Sequence, residues 1–210
     1  MFSENYLQQA LLAGPIILLA LTVHEYFHAW AALKFGDTTA RDMGRLTLNP
    51  LAHLDLFGTI CFVVSGFRFG WAKPVPVVLH NLKNPRVADL WVSAAGPLSN
   101  FGQAIIFGML FRLLSNGFLT VPADYFHAVQ LMLFYGVTIN LGLAFFNLIP
   151  LFPLDGSHIL RNLLPPRYDS TFDTIDQVAP FILLGMVFFG GVWLIIGPFV
   201  SFFTSLIAGN

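Results

Sequence analysis

The sequence has little charge and very little cysteine. Only 10% of its 210 residues are charged, whereas soluble globular domains carry about 25%. The single cysteine, Cys61, excludes an internal disulfide and a thiolate metal cluster and is expected to be a packing residue. The net charge of -1 argues against a nucleic-acid partner. Because 56% of the residues are hydrophobic and 23 are phenylalanine, the composition predicts an integral membrane protein.

Four apolar stretches are long enough to form membrane-spanning helices, which need about 20 residues each. They are residues 6–35, 87–114, 126–149 and 178–208. The fourth stretch is predicted to be a single tilted span, kinked near Gly197 and Pro198. A further apolar stretch, 57–67, is too short to cross and is predicted to be re-entrant or interfacial. With no internal repeat or linker, residues 1–210 are expected to form one all-α domain, a polytopic helix bundle.

The basic residues predict the orientation of this bundle. Nine of the ten lysines and arginines lie in the loop between the first two spans or follow the third span, and only Arg112 lies elsewhere. Positively charged loops stay on the cytoplasmic side, so the N-terminus is predicted to be outside. The first segment lacks a basic region and is not expected to be a cleaved signal peptide.

A polar motif, HEYFH at residues 24–28, interrupts the first apolar stretch. Ionisable side chains at membrane depth cost several kcal/mol unless something compensates them, so they indicate a functional site. His24 and His28 are one helical turn apart and can share one ion, with Glu25 beside them as a general base. The spacing is typical of zinc. Histidines hydrogen-bonded to neighbouring helices are the alternative, but they leave the adjacent glutamate unexplained.

A catalytic zinc site needs a third protein ligand and an open position. The only other glutamate, Glu4, is predicted at the opposite membrane face, which leaves an aspartate or a more distant histidine. Asp155 meets the requirement best, because it lies at the cytoplasmic end of the third span. There, Pro150 and Pro153 break helical hydrogen bonding, and Gly156 permits an unusual backbone turn. The alternative for Asp155 is a simple helix-ending turn at the membrane interface.

HEYFH together with NLIPLFPLDG resembles the two signature motifs of the site-2 protease family of intramembrane zinc metallopeptidases. GPLSN at residues 96–100 resembles a third family feature, and RLTLNPLAHLDLFGTI followed by FGWAKPVPV resembles a compact prokaryotic branch without a PDZ domain. The resemblance implies a catalytic core made by the first three spans. It also implies that His24, His28 and Asp155 bind one zinc ion per chain and that Glu25 is the catalytic base. Asn147 is implied to position the substrate backbone or a developing oxyanion.

The resemblance further implies an intramembrane metalloendopeptidase of regulated proteolysis, whose substrates are transmembrane segments of other membrane proteins. Its place would be the lipid bilayer of a prokaryotic plasma membrane, with the active site toward the cytoplasm and the fourth span peripheral to the core. A membrane metal-ion transporter using the same His and Asp residues is an alternative. Such a transporter needs no glutamate beside the first histidine and favours polar residues along its whole path. A noncatalytic membrane scaffold is a third possibility.

Three further polar residues each have two interpretations. Asn100, inside an apolar helix, either makes an interhelical hydrogen bond or contacts the substrate. The functional interpretation of His53 is that it lines the entrance to the site or binds a second ion, and the structural one is that it belongs to a helix cap at the membrane interface. His158, three residues after Asp155, either reaches the site or faces the cytoplasm.

Overall fold

The computed structural model describes residues 4–64 and 70–209. Its α-helices are α1 (Glu4–Lys34), α2 (Thr39–Asp42), α3 (Leu56–Val64), α4 (Pro85–Ser115), α5 (Ala123–Asn147), α6 (Asp155–Leu163), α7 (Asp169–Phe188) and α8 (Gly191–Ala208). Single turns of 3-10 helix occur at Pro50–Ala52, Leu79–Asn81 and Pro166–Tyr168. By length and composition, α1, α4, α5, α7 and α8 could cross a membrane. The predicted all-α polytopic bundle is confirmed.

Three long helices, α1, α4 and α5, form the centre of the bundle, with α4 packed against both of the others. They correspond to the first three predicted spans. Alanines with no exposed surface lie where these helices meet, including Ala20 and Ala32 of α1, Ala104 of α4 and Ala144 of α5. Lipid tails are as apolar as leucine, so membrane helices associate through close packing, which small residues allow.

The prediction of one kinked span at 178–208 is wrong. Two helices, α7 and α8, cover this stretch, and they are separated at Phe189 and Gly190 rather than at Gly197 and Pro198. Gly190 has a φ of 74°, a left-handed conformation that glycine adopts without steric cost and that commonly ends a helix. The apolar pattern also concealed the start of α7, because its first turns, from Asp169, are polar.

The last helix, α8, packs against both α5 and α4. Phe145, near the end of α5, contacts both Phe199 and Phe203 of α8, and Arg112 near the end of α4 donates a hydrogen bond to the carbonyl of Leu206. Helix α8 is therefore antiparallel to α5 and parallel to α4. At 1.5 Å per residue, its first residue lies about 12 Å beyond Phe199, at the end of the bundle where α4 begins. Asp169, the first residue of α7, pairs with Arg86 at that same end.

Helix α3 forms the described part of the stretch 57–67, whose residues 65–67 lie outside the described residues. Nine helical residues extend about 13 Å, far less than the roughly 30 Å hydrocarbon core. Several of its apolar side chains are exposed, among them Leu56 (71% exposed) and Phe57 (72% exposed). A re-entrant or interfacial location remains the prediction for this segment.

An extended chain at 72–78 lies between this short helix and α4, and hydrogen bonds fix it at several points. The N–H of Lys73 donates to the carbonyl of His53 (2.8 Å), and the carbonyl of Lys73 accepts from Nη2 of Arg45 (2.6 Å). The N–H of Val78 donates to Oδ2 of Asp37 (2.7 Å), just after α1 ends. The extended chain is therefore held against α1, beside the HEYFH motif.

Candidate metal centre

Three potential metal ligands converge where α1, α4 and α6 meet. Nε2 of His24 and Nε2 of His28 are 2.9 Å apart, and Oδ2 of Asp155 lies 3.3 Å and 3.4 Å from them. Both histidines are buried, and the Asp155 side chain is 19% exposed. Tetrahedral zinc with bonds of about 2.0–2.1 Å separates its ligand atoms by about 3.3 Å. The two distances to Asp155 match this separation.

Hydrogen bonds on the far side of each imidazole orient the two histidines. Nδ1 of His24 lies 2.7 Å from Oδ1 of Asn100, and Nδ1 of His28 lies 2.7 Å from the carbonyl oxygen of Val92. Because both partners are acceptors, each Nδ1 carries the proton and donates it. Each Nε2 therefore presents a lone pair to the centre, which is the arrangement that metal-ligating histidines use.

The donor atoms of this cluster fit a divalent cation. Two imidazole lone pairs and a carboxylate oxygen face one another within 3.4 Å. Oδ2 of Asp155 is buried and has no hydrogen-bond donor, and a buried acceptor without a partner costs about 1–3 kcal/mol. A divalent ion between the three atoms satisfies all of them at once. Catalytic zinc sites typically have three protein ligands, and two imidazole nitrogens with one carboxylate oxygen are such a set.

Two glycines allow the helices to approach closely enough to form the cluster. A Cβ atom on Gly96 of α4 would lie 2.6 Å from Nε2 of His24 and closer still to Nε2 of His28. A Cβ atom on Gly156 would lie 2.5 Å from the carbonyl oxygen of Ile149, in the non-helical link after α5. Gly156 lies within α6, so its predicted role in an unusual turn is wrong. What matters is its missing side chain, which lets the first turn of α6 pack against the link.

Glu25 follows His24 on α1 and is anchored by the extended chain 72–78. Its Oε2 accepts a hydrogen bond of 2.8 Å from the backbone N–H of Val75. This contact joins residues 50 positions apart in the sequence. It ties the carboxylate of Glu25 to the chain 72–78.

Comparisons with known proteins agree with this geometry. Residues 116–189, which include Asp155, match the family described as Peptidase family M50. The chain is 45% identical over 150 residues to "Putative zinc metalloprotease YwhC" of Bacillus subtilis, an alignment that covers 71% of this chain and 68% of that protein. The chain belongs to peptidase family M50.

Membership in family M50 confirms the resemblance to the site-2 proteases, the enzyme class of zinc metalloendopeptidase and zinc as the cofactor. Two further relatives share fewer residues with the chain. "Putative zinc metalloprotease Rip2" of Mycobacterium tuberculosis is 29% identical over 176 residues, covering 80% of this chain and 62% of Rip2. "Zinc metalloprotease MJ0392" of Methanocaldococcus jannaschii is 25% identical over 177 residues, covering 83% of this chain and 41% of that protein. No solved structure matches the chain.

Asn100 makes interhelical hydrogen bonds, as one of its two interpretations predicted. Its side chain has no exposed surface and, besides orienting His24, donates from Nδ2 to Oδ1 of Asn140 (2.9 Å) and toward the carbonyl of Ala20 (3.3 Å). Asn140 was not among the residues predicted from the sequence. Its Nδ2 donates to the carbonyl of Gly136, so an amide chain connects His24 to the middle of α5. An asparagine inside an apolar span was the available signal.

The remaining predicted residues of this M50 peptidase are not among the three ligands His24, His28 and Asp155. Asn147 is the last residue of α5, and its Nδ2 donates to the carbonyl of Leu143 in its own helix. His53 is 2% exposed, and its Nε2 donates to the carbonyl of Thr47 (2.8 Å), within the loop that precedes α3. The His158 side chain is 40% exposed and contacts Asp89 of α4. His53 is thus a buried part of the loop, whereas His158 is partly exposed and packs against α4.

Proposed function

We propose that this chain is an intramembrane zinc endopeptidase that hydrolyses peptide bonds within or near transmembrane segments of other membrane proteins. One observation carries the proposal. Nε2 of His24, Nε2 of His28 and Oδ2 of Asp155 meet within 3.4 Å, inside a bundle of helices that could cross a membrane. Glu25 lies next to His24 on the same helix. We propose that His24, His28 and Asp155 bind the zinc ion and that Glu25 is the catalytic base.

His24, His28 and Asp155 would hold the zinc ion as two neutral nitrogen ligands and one anionic oxygen ligand. When bound, zinc supplies Lewis-acid chemistry: it polarises a carbonyl oxygen and increases the acidity of water. The protein's contribution is a fixed geometry. Asn100 and Val92 prevent the imidazoles from rotating, and the non-helical link 148–154 aims Asp155 at them.

Glu25 is the group that would move protons. Its carboxylate accepts the proton of the attacking water and delivers it to the nitrogen of the leaving amine. The N–H of Val75 holds Oε2 of Glu25, so the side chain cannot swing away from the histidines. A fixed base avoids reorganisation at the moment of reaction.

The substrate must unwind locally, because hydrogen bonds within a helix shield its peptide bonds. Transmembrane segments weakened by glycine, proline or asparagine therefore suit this site. Asn147, at the start of the non-helical link, is proposed to contact the unwound backbone. The positive charge of the loops supports a site that faces the cytoplasm. We propose that it serves regulated intramembrane proteolysis in a prokaryotic plasma membrane.

Removal of the metal tests this proposal. The purified chain, reconstituted in lipid nanodiscs with a fluorogenic transmembrane substrate, is expected to cleave it and to lose cleavage to background when a chelator removes zinc. Return of about one equivalent of zinc per chain is expected to restore the rate. Zinc content is measured by mass spectrometry alongside the rate. Cleavage that persists in metal-free protein would contradict the proposal.

Transport is tested in the same preparation. Liposomes containing the protein and an internal zinc indicator are expected to show no more zinc uptake than empty liposomes, because cleavage needs no path through the outer half of the bundle. Zinc uptake in the absence of any cleavage would support the transporter instead.

A further inference from the structure

We propose that Arg86 and Asp89, in the first turns of α4, are positioning residues that clamp α6 and thereby hold Asp155 at the metal centre. The inference rests on the proposed function, because it matters only if Asp155 binds the ion. Neither residue contacts His24, His28 or Asp155. Their effect would pass through the nine residues of α6.

Asp89 holds the side of α6 that carries Asp155. Its Oδ2 accepts hydrogen bonds from Nδ2 of Asn162 (2.6 Å) and Nδ1 of His158 (3.3 Å). Positions 155, 158 and 162 are spaced i, i+3 and i+7, so their side chains lie on one face of the helix. The Asp89 side chain is only 13% exposed, and partly desolvated hydrogen bonds to a carboxylate are stronger than those between neutral groups.

Arg86 holds the other end of α6. Its Nη2 donates to the carbonyl of Arg161 (2.7 Å) and to the carbonyl of Leu164, and its Nε donates to the carbonyl of Asn162 (3.3 Å). The last carbonyls of a helix have no partner within the helix. A cationic side chain there satisfies them and also complements the negative end of the helix dipole. Arg86 therefore fixes the C-terminal end of the helix that begins with Asp155.

A helix of this kind needs an external clamp. Helices shorter than about 12 residues are marginal on their own, and α6 follows a link that contains two prolines. In the described part of the chain, α4 is the helix that packs most extensively against α6. The same α4 also contacts both histidines through Val92, Gly96 and Asn100. One helix thus sets the positions of the ligands from both α1 and α6.

Protonation of His158 would strengthen this contact. The hydrogen bond to Asp89 raises the pKa of His158 above its ordinary value, and its charged form makes an ion pair with the carboxylate. The ion pair at 3.3 Å adds to the hydrogen bond from Asn162. Both tie the face of α6 that carries Asp155 to α4.

A double-mutant cycle on zinc affinity tests the clamp. Affinity is measured by competition with a chromophoric chelator in the full chain, the Asp89→Ala variant, the Asp155→Ala variant and the double variant. Asp89→Ala is expected to weaken zinc binding about 10-fold, the lower end of the effect of groups that orient ligands. In the Asp155→Ala background it is expected to change nothing, because the group that Asp89 positions is gone.

Two further variants separate positioning from general destabilisation. Asp89→Asn keeps an acceptor for Asn162 and is expected to lose less affinity than Asp89→Ala. Asp173→Ala removes a carboxylate that pairs with Arg161 from the α7 side, at 2.6 Å, and is expected to leave zinc affinity unchanged.

The outcomes distinguish the clamp from the proposed function. Equal losses from Asp89→Ala in both backgrounds would overturn the clamp, because the residue would then act on the whole bundle. Unchanged affinity in the Asp89→Ala variant would also overturn it. Unchanged affinity in the Asp155→Ala variant would instead overturn the ligand assignment of the proposed function.

Discussion

Cleavage by the Glu25→Gln variant is expected to fall by about 10²- to 10⁴-fold, the range that a positioned general base contributes, while zinc stays bound. Glutamine retains a side-chain oxygen that can accept the hydrogen bond from Val75, which in the native chain goes to Oε2 of Glu25. The substitution therefore removes the ability to take a proton without releasing the extended chain 72–78. Single-turnover cleavage of a transmembrane substrate, with zinc content measured on the same sample, checks this expectation.

The neighbouring Tyr26→Phe variant is a matched control, since Tyr26 is adjacent in α1 but contributes no metal-ligand atom to the cluster of His24, His28 and Asp155. It is expected to cleave at close to the native rate. If Glu25→Gln cleaved as fast as the native chain, Glu25 could not be the base. If it lost zinc as well, its role would be in metal binding.

Replacing Gly96 with alanine is expected to reduce zinc affinity by about 100-fold. The added methyl group would lie 2.6 Å from Nε2 of His24, at the place where the three ligand atoms meet. The imidazoles cannot turn aside, because Asn100 and Val92 hold their Nδ1 atoms. Overpacking of a rigid site costs about 1–3 kcal/mol, and 1.4 kcal/mol corresponds to a tenfold change. Chelator competition measures the loss.

Gly102→Ala provides the control on the same helix. A Cβ atom at this position would meet no atom within 4 Å, and alanine favours helix by about 1 kcal/mol over glycine. Its zinc affinity is expected to remain native, and its stability to be equal or higher. Zinc affinity that is native in the Gly96→Ala variant would show that the metal lies elsewhere than between His24, His28 and Asp155.

Local patterns allowed much of the fold and site to be predicted. A long apolar run specifies a membrane helix without reference to its neighbours, which is why α1, α4 and α5 appear where the sequence places them. The spacing of His24 and His28 follows from helix geometry alone. Asp155 could be associated with them because both motifs lie at matching depth on predicted spans. Each of these inferences requires the sequence of only one or two segments of the chain.

Features that depend on packing between distant segments were not predictable in this way. The break at Gly190 is concealed in continuous apolar sequence, because a left-handed glycine leaves no trace in hydropathy. The role of Gly96 depends on which face of α4 meets the histidines. Likewise, the contact between Val75 and Glu25 joins an irregular chain to α1 across 50 residues. No periodicity in the sequence encodes that contact.

X-ray absorption at the zinc edge tests the central claim most directly, because it reports the atoms around the ion. The zinc-loaded native chain is expected to show two imidazole nitrogens at about 2.0–2.1 Å and oxygen ligands at about 2.0–2.2 Å. Asp155→Ala should alter only the oxygen shell, and His28→Ala should remove one imidazole. A spectrum without imidazole scattering, or one that neither substitution changes, would contradict a zinc ion held by His24, His28 and Asp155.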